Sequence, residues 1–159
     1  MVYQDDAAFI RDMLKDNWIN ANTDEVKPEI IKIIDTKRQR FAQDNDTIAI
    51  YNVNTNFKDE GMGDKYRFKT YRTSTDIYTV SSSARLYKIV KEVIRIFNTY
   101  SVIKGTFTLN SNTYSYDGIL KVDNIKEHSN KSVGLFRQTI DTIIEDDDLK
   151  GWLNEKSRI

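Results

Sequence analysis

Cysteine is absent from this chain, which excludes disulfides, thiolate-held zinc and cysteine nucleophiles together. The absence also fits a reducing compartment. Histidine occurs once, at position 128, and a triad or an imidazole-based metal site would need oriented partners that the sequence does not supply. Neither sign of charge is in excess: Lys plus Arg and Asp plus Glu each number 24, for a formal net charge of zero. A protein that lives on nucleic-acid phosphates needs a basic surplus, so only a local basic face is left to that role. No apolar run approaches the about 20 residues that span a bilayer. The first six residues, Met1 to Asp6, lack the basic start and apolar stretch of a signal peptide. The expectation is a chain made and kept in the cytosol, without membrane attachment.

What is present suits one folded domain over 1–159. The length is ordinary for a domain with its own core, and the 39% hydrophobic fraction is rich in the β-branched and aromatic residues that build sheets. Over 5–18, Phe9 with Met13 and Ile10 with Leu14 and Trp18 recur at helical spacing, behind Asp5 and Asp6 at the favourable N-terminal end. A polar run over 20–27 ends that helix, and Pro28 resets the chain. The four isoleucines within 29–35 fit a buried strand or a short helix equally.

The stretch 46–53 alternates as a strand, with Ile48 and Ile50 on one face and Thr47, Ala49 and Tyr51 on the other. The polar segment 54–64, with Gly61 and Gly63, reads as a flexible loop. Strands are expected over 65–72 and 76–81. A helix over 84–98 then begins after candidate N-caps at Ser81, Ser82 and Ser83. Its stripe is Leu86, Val90, Val93 and Phe97, widened by Ile89 and Ile96. A short strand at 106–109 and a turn at Asn110, Ser111 and Asn112 follow. Long strands over 113–127 and 132–144 flank a connection at 128–131, and Gly118 suggests a bulge or bend. The acidic run 145–148 ends the last strand and opens a C-terminal tail, 145–159. This order predicts an α+β domain: a mainly antiparallel sheet packed by an N-terminal helix and one long central helix, with a long β-hairpin near the C-terminus.

The candidates for chemistry are few. His128 sits in the expected hairpin connection, and the plain reading is a surface histidine. The run Glu145, Asp146, Asp147 and Asp148 offers carboxylates to a hard cation but lacks the glycine and downstream glutamate of a calcium loop. Lys65, Arg67, Lys69 and Arg72 interleave with Tyr66, Phe68 and Tyr71 as on a single-strand-binding surface, and Lys37, Arg38 and Arg40 form a second basic cluster. Strand alternation favours aromatics in the core and cations in water instead. Asp59, Glu60 and Asp64 beside Lys65 form the one arrangement that resembles a metal-assisted hydrolase. No phosphate-binding glycine loop, nucleophile elbow or HExxH occurs. No enzyme, cofactor or metal is expected.

The element order resembles that of the tail-terminator and tail-completion (neck) proteins of tailed viruses. The likeness is carried by the opening helix with Phe9, Ile10, Met13 and Leu14, and by the Pro28, Glu29, Ile30 segment. It continues through the strand from Asp46 to Tyr51, the strand from Thr75 to Ser81 running into the long helix, and the closing strand from Leu135 to Ile144. The resemblance implies a virion structural protein without catalytic residues, assembled as a homo-oligomeric ring, often a hexamer. Such a ring contacts neighbouring tail-tube or neck proteins and lets DNA pass through its lumen without specific binding. It further implies that the loop with Asn56, Phe57, Lys58, Asp59, Gly61 and Gly63 touches a neighbouring subunit or ring. Against this stands a nucleic-acid-binding accessory domain using Lys37, Arg38, Arg40, Lys65, Arg67, Lys69 and Arg72.

Overall fold

The structure, a computed structural model, describes residues 5–33, 46–60, 66–130 and 134–147, with the backbone alone at 54–60, 66–69 and 147. Helix α1 spans Asp6–Asn17. Asp5 caps it, its carboxylate accepting from the Ala8 N–H at 3.2 Å. A short 3₁₀ turn, Asn20–Thr23, leads to β1, Glu29–Lys32. Strands β2 (Thr47–Glu60) and β3 (Tyr66–Thr79) follow, and then helix α2, Ser83–Thr99. Strands β4 (Val102–Leu109), β5 (Asn112–Glu127) and β6 (Phe136–Asp147) complete the order. The content is mixed, α+β, with one six-stranded sheet ordered β1-β2-β3-β6-β5-β4. The β1–β2 pair is parallel and the other four pairs are antiparallel.

Both helices pack on one face of the sheet. The α2 side chains Leu86, Ile89, Val90, Val93, Ile96 and Phe97 are all buried, each worth about 2 kcal/mol relative to exposure. Of the three candidate caps, Ser82 takes the position, its hydroxyl accepting from the Arg85 N–H at 3.0 Å. From the sheet, Ile48, Ile50, Ile77, Ile140 and Ile144 complete this core with Tyr114, Tyr116 and Leu120. Helix α1 contributes Phe9, Ile10, Met13 and Leu14, and the Phe9 ring lies 4.5 Å from that of Tyr116 and 5.2 Å from that of Tyr114.

Two carboxylates of α1 enter the same region. Asp6 accepts from the Tyr116 hydroxyl at 2.7 Å. Asp12 accepts from the Tyr114 hydroxyl and from the amides of Asn110 and Asn112. Asn110 and Ser111 both have positive φ, 48° and 65°, which makes the β4–β5 connection a type I′ turn. Asp16 closes it by accepting from the Asn110 N–H at 2.7 Å. At the other end of α1, Asn52 of β2 accepts from the Ala7 N–H and donates to Asp5, which also pairs with Lys32 of β1. The helix is thus tied to both flanks of the sheet.

The structure corrects several sequence expectations. Residues 29–32 form a strand, which settles the open alternative. The flexible loop expected over 54–64 is strand up to Glu60, because antiparallel backbone pairing with β3 needs no apolar side chains. The separate strands at 65–72 and 76–81 are one strand. Its polar middle, Thr73, Ser74 and Thr75, is buried, and the Thr73 hydroxyl meets that of Thr142 across the ladder. Strand β4 begins four residues before the expected start at 106. The acidic run belongs to β6 up to Asp147: Glu145 pairs with Lys121 at 2.9 Å, and Asp146 accepts from the Asp117 N–H. Residues 148–159 of the expected tail lie outside the described residues.

Gly118 marks no bulge. A Cβ there would fall 1.6 Å from the Glu145 carbonyl oxygen, so the glycine serves a close backbone approach. The extra residue of β5 is Asp123, between Val122 opposite Thr142 and Asn124 opposite Asp141. Strand β2 carries its own, Val53, between Asn52 opposite Thr73 and Asn54 opposite Arg72. Since Thr73 pairs with Thr142, the two bulges lie on one line across the sheet, and the bend each introduces adds to a crease.

Two outcomes are expected. Gly118→Ala forces apart the β5 and β6 backbones and lowers stability by about 3 kcal/mol, as overpacking does, which urea unfolding will read. Burial, reinforced by the nearby Asp146 charge and opposed by the Tyr116 hydroxyl, lifts the Asp6 pKa to about 6. Between the unfolded value of 3.8 and about 6, the folded state holds a proton there that the unfolded chain has released. The group's contribution is therefore complete below pH 3.8 and is lost as pH rises through 6, by up to about 3 kcal/mol. The difference in stability between wild type and Asp6→Asn, followed from pH 4 to 7, is expected to carry that slope.

Candidate functional site

On the face of the sheet away from the helices, the strands β2, β3, β5 and β6 border an open cleft of about 420 Å³. Its polar lining comes from alternate positions on β3 (Arg72 and Ser74) and β6 (Arg137, Thr139 and Asp141), and from Asp123 at the bulge and Lys126 beyond it on β5. Each charge has a partner. Arg72 lies 3.6 Å from Asp123, Lys126 3.5 Å from Asp141, and Arg137 3.0 Å from Asp76.

Asp76 is 2% exposed and serves as the anchor of this group. It accepts from the Thr139 hydroxyl, from Arg137 and, at 3.4 Å, from the Tyr78 hydroxyl. The Arg137 guanidinium lies 5.0 Å from the centre of the Tyr78 ring. Burial, with the adjacent Asp76 charge, pushes the Tyr78 hydroxyl up to about 12. The Ser74 hydroxyl donates directly to Asp141. In a nucleophilic pair an imidazole would stand between such groups. His128 instead is exposed at the rim, and its backbone N–H donates to the Arg137 carbonyl. The arrangement joins strands and balances charge.

The remaining feature is the perimeter of the sheet. Strand β1 flanks only residues 47–50 of β2, and among the described residues no strand pairs with the outer edge of β2 beyond them. On the opposite side β4 flanks β5 only from Asn112 to Ile119, which leaves 120–127 without a neighbouring described strand. Exposed apolar side chains occur on both sides: Val53 at 54% on β2, and Val102 at 60%, Ile119 at 40% and Ile125 at 46% on β4 and β5. A second groove, of about 600 Å³, runs along α2 between Tyr87, Lys88, Lys91 and Arg95. There Lys88 pairs with Asp24 and Arg95 with the buried Glu92.

The residues singled out from sequence are dispersed. Asn56, Phe57, Lys58 and Asp59 are positions of β2, opposite Thr70, Lys69, Phe68 and Arg67. Arg67, Lys69 and Arg72 lie on β3, and Arg72 alone reaches the cleft. Gly61, Gly63, Asp64, Lys65, Lys37, Arg38, Arg40 and Asp148 lie outside the described residues. Among the described residues no group of three His, Cys, Asp or Glu side chains is placed to hold a metal ion, and no helix is long and apolar enough to cross a membrane. Sequence reasoning missed Ser74, Asp76, Arg137, Thr139 and Asp141. Their signal was the polar phase of two alternating strands, which acquires meaning once β3 and β6 are known to be neighbours. Comparison with known protein families and with curated proteins finds no match to either.

Asp76→Ala strips Thr139 and Arg137 of a shared acceptor and is expected to cost about 3 kcal/mol, the lower end for breaking a buried ion pair because Arg137 is partly exposed. Chemical denaturation of the variant beside wild type checks it.

Proposed function

We propose that this chain is a structural protein that assembles head to tail into a ring, as a tail terminator or head–tail connector of a tailed virus. The observation that carries the reading is the pair of edges, on opposite sides of one sheet, that no described strand covers. A long free edge is a template for strand addition and a liability in an isolated subunit. The two edges here are unlike each other, so a contact between them is heterologous, and repeated heterologous contacts form a ring when the rotation closes. The element order supports placing the ring in a tail or neck, where six copies are the expected number.

The cleft face adds to this reading. Arg72, Lys126 and Arg137 are each matched by a carboxylate, so among these residues no cation is left over for phosphates. A pore wall of this kind lets DNA slide without holding it. The pairing of Arg72 with Asp123 also weakens the basic-strand reading of 65–72.

The test is the mass of the purified protein by light scattering after size exclusion, with negative-stain images of the same fraction. Rings or short stacked tubes are expected. A chain that stays at 18.6 kDa over a wide concentration range overturns the proposal.

A further inference from the structure

The two open edges are stepped, and the steps are complementary. The ladder places Ile31, Ala49, Asp76, Thr139 and Lys126 on one level across β1, β2, β3, β6 and β5. A second level runs through Asn56, Thr70, Glu145, Ile119 and Val102. At the first level the sheet projects by β1 on one side and is recessed at β5 on the other. At the second it is recessed at β2 and projects by β4. A copy set beside another in the same orientation therefore brings its β1 into the recess below β4, while the β4 of the first enters the recess above β1 of the second.

Strand direction agrees with this fit. β1, β2, β4 and β6 run one way and β3 and β5 the other. The new β1–β5 contact is then antiparallel, the geometry that needs no slanted bonds. The β5 backbone is ready for it. The Leu120 N–H points outward, donating to the Ser101 carbonyl, and the His128 N–H points inward, donating to Arg137. Alternation turns the N–H groups of Ile125 and Glu127 outward, between those points. The exposed Ile125 and Val53 lie at the two recesses.

We propose that β1 of one copy pairs antiparallel with the 125–127 end of the open stretch of β5 in the next, while β4 of that next copy lies along the edge of β2 in the first that no described strand covers. This rests on the ring reading above and specifies its contact. The occupant is a second copy of this chain, because the step that fills each recess is the step the same sheet presents on its other side.

The absence of cysteine makes the test direct. Ile31→Cys and Lys126→Cys lie on one level and are made as separate proteins. Mixed and treated with a short bis-maleimide, they are expected to give a covalent dimer, while neither gives one alone. Tyr87→Cys on α2 serves as the control position. Glu127→Pro removes an outward N–H without removing a bond of the β5–β6 ladder. It is expected to keep its circular dichroism and thermal midpoint while self-association weakens about tenfold or more. Assemblies seen by light scattering in the same mixture without any bridge overturn this contact and leave the ring reading standing. A bridge formed by either single variant alone marks a two-fold contact and also overturns it. A monomer at every concentration overturns both.

Discussion

The contact on which the rest of the structure depends is the docking of two α1 carboxylates onto two tyrosine hydroxyls of β5. Asp6 and Asp12 are six residues apart on the helix, a rise of about 9 Å. Tyr116 and Tyr114 are two apart on the strand, about 7 Å. Phe9 fills the space between the two pairs and packs on both rings. A buried carboxylate without donors is costly, so α1 has one seat: any slip leaves Asp6 or Asp12 unpaired. Asp12 shows how well the seat is made. Burial alone would raise its pKa, yet hydrogen bonds from Arg11, Tyr114, Asn112 and Asn110 together hold it below the usual value. Because the same helix reaches Asn52, Lys32 and the Asn110 turn, its seating fixes which face of the sheet is closed.

The other face follows from that closure. With the helices on one side, the opposite surface of β3 and β6 is free to carry polar groups at the positions that alternate with the core. These groups satisfy one another: serine with aspartate, threonine with aspartate, and arginine with aspartate over a tyrosine ring. Such a network specifies strand register, since each donor meets its acceptor in one alignment only. It also leaves the surface electrically quiet, although it is rich in charge.

Much of the core was legible in the sequence. The 3.6-residue period of Phe9, Ile10, Met13 and Leu14, and that of the α2 stripe, are local signals that burial alone produces. The Asn110–Ser111 turn and the Ser82 cap were equally visible, because short-range hydrogen bonding favours those residue types there. The sequence misled where polar residues lie in strands. Thr73, Ser74 and Thr75 read as a break, although cross-strand partners far along the chain allow their burial. The 54–60 segment read as a loop, although its pairing is a property of the backbone. Edges, recesses and the cleft depend on strand order, which periodicity does not contain. The positions taken for binding sites were chosen by composition; of those described, the ladder puts Asn56, Phe57, Lys58 and Asp59 on β2 and Arg67, Lys69 and Arg72 on β3.

The crease through Asn52, Thr73, Thr142 and Val122 has a different kind of consequence. It owes its existence to one additional residue on each flank, Val53 and Asp123, and to no particular side chain at either place. Curvature in this sheet is therefore written as a count. Point substitutions can pass through both positions over many generations and leave the bend intact. Flattening the sheet evenly would take two deletions, one in each strand and at matching heights. Either alone would remove one bulge and leave the residues beyond it on their present faces, because Asn52 and Asn54 pair with successive residues of β3, and Val122 and Asn124 with successive residues of β6. The shape is in this sense more heritable than the chemistry of its surface.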